Sequence, residues 1–238
     1  MEQNISNVEE QLKMSKFEEY QSLMSDMMVS LFKPYEKDIK EGKKIDIDQG
    51  RFEILLFEGF TEISNNIDTL KLISVFINKE PPNDVEINYS NYLTYHIHNY
   101  FQEMYILKER LRTYGTKIQR KYKKVTEPIL IENVKNIILD TISSLKSITG
   151  DGGIRNLHVH EKKYSDEDLN WLSSTTLLVN SNHIDYTYAQ KEAYKKARDK
   201  WSKIIEDNNK NLMIVLDKYF ETLLPIISKD NAVIKPHP

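Results

Sequence analysis

Residues 93–124 read LTYHIHNYFQEMYILKERLRTYGTKIQRKYKK. Within them Leu93, Ile97, Tyr100, Met104, Leu107, Leu111, Tyr114 and Ile118 recur at alternating intervals of four and three. An α-helix comes back to the same face every 3.6 residues, so these side chains form one apolar seam. A strand would need a period of two, which this stretch lacks. The spacing predicts a helix of many turns ending in Arg120-Lys121-Tyr122-Lys123-Lys124. Cations suit that end because the helix dipole is negative there.

The same period continues on both sides. Downstream, Pro128 fits a first helical turn, and Ile131, Val134, Ile138, Ile142 and Leu145 give the stripe of a helix that stops before Gly150-Asp151-Gly152-Gly153. Upstream, Phe52, Leu55, Leu56, Phe60, Ile63, Ile67, Leu70 and Ile73 predict a helix from 49 to 78, closed by Pro81-Pro82-Asn83-Asp84. Leu12, Phe17, Tyr20, Leu23, Met24, Met27, Met28 and Leu31 predict another over residues 7–32, before Pro34. Residues 35–48 are charged, contain Gly42 and read as a loop. Past the glycines, Ser165-Asp166-Glu167-Asp168 looks like a cap and acidic first turn for a short helix through Leu178. A polar link, 180–185, leads to a long last helix carrying Tyr194, Ala197, Trp201, Ile204, Ile205, Leu212, Val215, Leu216, Tyr219, Phe220 and Leu223. The tail from Lys229 is expected to fray. The resulting expectation is an all-α fold, an up-and-down bundle of about five to six helices, forming a single domain over 1–238.

Composition narrows the classes. Hydrophobic residues make up 39% and charged residues 29%, enough for both a core and a solvated helical surface. Seven glycines and seven prolines are too few for an all-β chain of many turns. With no cysteine there is no disulfide, no thiolate metal site and no thiol nucleophile. The formal net charge of −3 argues against nonspecific coating of duplex DNA. Residues 1–11 lack a signal-peptide pattern, and no window holds 18 continuous apolar residues. The expectation is a cytoplasmic protein with no membrane partner.

One segment reads as chemistry rather than packing: Arg155-Asn156-Leu157-His158-Val159-His160, directly after the glycines. Cleaving RNA through its own 2′-OH needs a base, a cation on the phosphate and an acid for the leaving oxygen. Histidine titrates near neutrality and serves as base or acid. Arginine stays charged and presents a planar fork of donors to phosphate oxygens. The nucleophile belongs to the substrate, so the reaction requires no cofactor and no metal.

Arg155-Asn156-x-x-x-His160 resembles the R-x(4–6)-H signature of HEPN domains, in the variant with a polar residue after Arg. At this composition, chance supplies about 0.01 such Arg-Asn matches with this spacing. Tyr100-x-x-x-Met104-x-x-Leu107-x-x-Arg110-Leu111 is similar to the second core helix of those domains. The likeness extends over approximately residues 50–225, with the hexapeptide its specific part. It implies a small helical bundle that forms a homodimer, with two copies of the motif meeting in one composite site. It implies a metal-independent endoribonuclease of the kind found in toxin–antitoxin and antiviral, phage-defence systems, with RNA as substrate and an antitoxin protein as a candidate partner. His160 would then be general base or acid, Arg155 the phosphate cation and Asn156 a positioning group. Some family members carry Tyr two residues after the motif His; here Lys162 stands there and the first tyrosine is Tyr164. The alternative within the family is a non-catalytic module that binds nucleotide, RNA or protein. Outside it, the chain reads as a plain helical interaction protein built on the 93–118 seam, with Arg155 and His160 as loop residues or caps.

Further candidates surround the motif. Asn156 is equally a helix N-cap. His158 lies about 200° from His160 on a helix, which suits a surface or dimer contact, with assistance to His160 as the alternative. His96 and His98 repeat the H-x-H pattern, but helical geometry splits each pair and no carboxylate stands at a zinc-ligand spacing, so no metal site is assigned. His96, Asn99, Glu103 and Arg110 share the polar edge of the 93–124 helix, which reads as a solvated face or as a surface against the motif. Glu103 and Glu109 are the candidate carboxylates to orient Arg155. Lys121, Lys123 and Lys124, around Tyr122, are candidates to track an RNA backbone, against the commoner reading of a solvated helix end.

Overall fold

The computed structural model describes residues 14–48, 50–82, 86–148, 166–181, 186–229, 232–234 and 236. The fold is all-α. Its helices are α1 (Lys16–Phe32), the single turn α2 (Glu36–Lys40), α3 (Phe52–Ile77), α4 (Tyr89–Tyr122), α5 (Pro128–Ile148), α6 (Glu167–Asn180) and α7 (Thr187–Ile227). Two short strands follow, β1 (Ser228–Lys229) and β2 (Ala232–Val233). The chain packs as two compact units. One comprises 1–62, 111–141 and 214–238; the other comprises 63–110 and 142–213. The long helices α3, α4, α5 and α7 each contribute residues to both.

In the first unit the core is aromatic. The Phe17 ring meets Phe60 and Phe220 at centroid distances of 5.9 and 5.4 Å. Tyr20 lies 4.6 Å from Phe220, and its hydroxyl meets that of Tyr114 at 2.7 Å. Tyr219 donates to the Leu111 carbonyl at 2.6 Å. Two glycines allow this density: a Cβ on Gly59 would lie 2.7 Å from the Tyr114 ring, and one on Gly115 would lie 2.7 Å from the Tyr219 hydroxyl. α1 opens with a capping box, Ser15 accepting from Glu18 N–H and Glu18 from Ser15 N–H. Asp217 of α7 accepts from the free N–H groups of Lys16 and Phe17, which both caps α1 and docks it.

The end of the chain differs from the expected frayed tail. Lys229 pairs with Ala232 in a small antiparallel hairpin, and Ile234 N–H donates to the Ile227 carbonyl at 2.8 Å. The buried Tyr122 hydroxyl donates to the Ile234 carbonyl at 2.6 Å. A phenol that must find a partner once buried thus ties down the terminus. The expected loop over 35–48 also contains the helical turn α2.

In the second unit aliphatic stripes carry small polar pairs. Ile63, Ile67, Leu70 and Ile73 of α3 are buried, as are Leu93, Ile97, Tyr100, Met104 and Leu107 of α4. α7 contributes Tyr194, Ala197, Trp201, Ile205 and Leu212. Ser202 donates to Asn78 Oδ1 at 2.6 Å, Gln190 to Thr176 at 3.1 Å, and Tyr100 to Asn209 Oδ1 at 3.1 Å. Asp166 caps α6 by accepting from Leu169 N–H at 2.9 Å. Its other oxygen, with Asp168, holds Lys200 of α7 at 2.9 and 2.8 Å.

Candidate functional site

Arg155, Asn156, His158 and His160 lie outside the described residues. The described chain on either side ends with α5 at Ile148 and resumes at Asp166. The other candidates read from the sequence lie among the described residues.

Glu103 sits half-buried on α4. Asn66 of α3, only 1% exposed, donates its amide to Glu103 Oε2 at 2.6 Å and to the Glu103 carbonyl at 3.2 Å. One carboxylate oxygen is therefore fixed by a buried donor, while Oε1 takes no hydrogen bond among the described residues. A carboxylate held on one side and open on the other suits a guanidinium, whose donors come as a planar fork. The Asn66 Oδ1 is itself buried without a hydrogen-bond partner. Buried polar atoms are paired in all but a few cases, so this pair departs from ordinary packing.

Glu109 is engaged differently: Lys108 Nζ approaches it at 3.6 Å and also lies 4.2 Å from the Tyr105 ring centroid. Glu103 is the carboxylate for which a buried donor is seen.

His96 is not on a solvated face. Its ring stacks on Phe76 at 5.3 Å and 17°, and meets Tyr92 edge-on at 4.6 Å and Tyr95 at 5.3 Å. Its Nδ1 is buried with no hydrogen-bond partner. Burial lowers the imidazole pKa from its ordinary value, favouring the neutral ring. His98 and Asn99 are half-buried on the same helix. Among the described residues no group of His, Asp and Glu is arranged to hold a metal ion.

Lys121, Lys123 and Lys124 are exposed at the end of α4, as a backbone-tracking role requires. Tyr122 between them is fully buried and supplies no stacking face. These lysines belong to the first compact unit, whereas His96, Glu103 and Glu109 belong to the second.

Two features were missed in reading the sequence. Asn66 falls among Ile63, Ile67 and Leu70, and a polar residue inside an apolar stripe is the signal that could have found it. Trp171 stands off the Leu169–Leu172 stripe of α6 and is 53% exposed; a large aromatic out of phase with the buried face is a readable signal. Among the described residues no helix is long and apolar enough to cross a membrane. No family model matches the chain, and no curated protein or solved structure gives a match.

Proposed function

We propose that the chain is a HEPN-type endoribonuclease that cleaves RNA through the 2′-OH without a metal ion. The observation that carries this reading is the Arg155-Asn156-x-x-x-His160 segment, placed after a glycine run in an all-helical chain. In the reaction the 2′-oxygen attacks the adjacent phosphorus. The O2′–P bond forms, the P–O5′ bond breaks, and the products end in a 2′,3′-cyclic phosphate and a 5′-hydroxyl. His160 moves a proton, as base at the 2′-OH or as acid at the leaving 5′-oxygen. Arg155 stabilises charge on the crowded phosphate, and Asn156 positions His160 or the phosphate.

The fixed, half-open carboxylate of Glu103 supports a positioning role toward Arg155. A second copy of the chain completes the composite site, and a toxin or phage-defence setting with a neutralising antitoxin protein is the context this chemistry fits. Arg155→Ala and His160→Ala should each abolish RNA cleavage in EDTA while leaving the helical circular dichroism intact. Cleavage that survives both changes, or that appears only when a divalent metal is added, defeats the mechanism.

A further inference from the structure

The chain has two tryptophans, in opposite settings. Trp201 is 2% exposed and meets Phe101 edge-on at 5.9 Å. Trp171 is 53% exposed. α6 turns Leu169, Leu172, Thr175 and Thr176 inward. Trp171, two residues past Leu169, lies about 200° around the helix from it and faces outward.

It does not face empty surface. Trp171 lines a groove of about 490 Å³ with Ala189, Glu192, Ala193, Lys195, Lys196 and Asp199 of α7. Trp171 stays half-exposed beside the two short alanines. Tyr188, 76% exposed, stands one turn before Glu192 on α7. The groove's own charges balance, Lys195 and Lys196 against Glu192 and Asp199, and Lys200 is held by Asp166 and Asp168; Lys195 makes no ion pair among the described residues. Arg198 donates to Asp199 at 3.3 Å and is shared with Glu80. Lys196 bridges to Asp168 at 2.9 Å with most of its side chain in solvent.

An exposed indole beside lysines has a specific complement: an unpaired base, which offers a free π-face, with phosphates on either side of it. In a duplex those faces are already covered by neighbouring bases. We propose that this groove is a subsite for single-stranded RNA, a base stacking on Trp171 and its flanking phosphates pairing with Lys195 and Lys196. This rests on the RNA-cleaving reading and adds where the strand lies.

The test uses the full chain carrying His160→Ala, so that the probe survives, and a fluorescently labelled 12-nucleotide oligouridine read by anisotropy. Adding Trp171→Ala should weaken binding roughly 5- to 150-fold, the range of one base–aromatic stack, and Trp171→Phe should restore part of it. Lys195→Ala with Lys196→Ala should weaken binding and flatten its salt dependence. A duplex of the same length should bind independently of Trp171, and a DNA oligonucleotide that binds as well shows that the groove reads base and phosphate rather than the sugar. Equal affinity with and without Trp171, or a duplex that depends on Trp171 as strongly, overturns the subsite. The two readings fail separately. Trp171-dependent binding by a wild-type chain that cuts no RNA keeps the subsite and removes the nuclease. His160-dependent cleavage with Trp171-independent binding does the reverse.

Discussion

In the unit containing α1, four buried tyrosines all place their hydroxyls on partners: Tyr20 and Tyr114 on each other, Tyr122 on the Ile234 carbonyl and Tyr219 on the Leu111 carbonyl. In the unit containing α6, polar pairs stud an aliphatic core, and the buried Asn66 Oδ1 and His96 Nδ1 meet no hydrogen-bond partner. Among the described residues the first unit has one such atom, the Thr141 hydroxyl. A buried polar atom without a partner costs stability, about 1–3 kcal/mol, and is retained where something else requires it. The second unit's buried Tyr100 and Tyr194 are likewise paired, on Asn209 and the Lys79 carbonyl, so the contrast lies in the unpaired atoms. The second holds Glu103, His96 and the Trp171 groove, the described groups with chemistry to offer.

The contrast can be broken by mutation. Phe220 touches the rings of Phe17, Tyr20, Phe60 and Tyr219. Phe220→Ala should cost about 3–5 kcal/mol in urea unfolding; a loss under 1 kcal/mol would mean that this core is not the main source of stability. Asn66→Leu should act the other way. It removes an unpaired oxygen along with the donor to Glu103, so the chain should stay folded. RNA cleavage should fall about 10- to 100-fold as Glu103 loses its fixed geometry. Unchanged cleavage in Asn66→Leu would strip Glu103 of its positioning role.

Two pH effects sharpen the same comparison. Burial raises the pKa of Tyr20, Tyr114 and Tyr219. The folded state therefore favours the neutral phenol, and its contribution is complete below the unfolded value near 10. Stability should fall as pH rises beyond about 10, and less steeply in a Tyr20→Phe/Tyr114→Phe double variant. Tyr100 and Tyr194 in the other unit are shifted the same way, so part of the slope will remain. His96 gives the smaller effect on the acid side. Its folded pKa is lowered by burial, so its contribution is present above the unfolded value near 6.5 and is lost as pH falls through the lower folded value. His96→Phe should remove that acid-side slope in thermal melts between about pH 7 and 5.

Much of the architecture was legible in the sequence because period alone determines a buried helical face. Every seam residue named from Leu93 to Ile118 is buried on α4, and the breaks at Pro34 and Pro81-Pro82 fall outside long helices. In the α3 stripe Leu56 is buried as the period predicts, but Leu55 is 48% exposed and Ile54 is buried in its place. In a run of consecutive apolar residues, periodicity cannot choose the phase. Pro225 lies within the last turns of α7, which ends at Ile227, just before the tail expected from Lys229. The terminal hairpin was illegible because it depends on a tertiary bond from Tyr122, distant in sequence. At the candidate site, residue types exposed Glu103 and His96 as polar groups on one edge of α4. Their partners Asn66 and Phe76 come from α3, and no pattern within α4 announces them.

The claim that matters most is that the nucleophile belongs to the RNA. The most direct measurement compares, in EDTA, an RNA oligonucleotide that the chain cuts with the same oligonucleotide carrying a single 2′-deoxy sugar at the cleaved position. The account predicts that this one change stops cleavage there, and that the unmodified strand yields a 2′,3′-cyclic phosphate end. Cutting at the deoxy position, or ends with a 5′-phosphate, would contradict it.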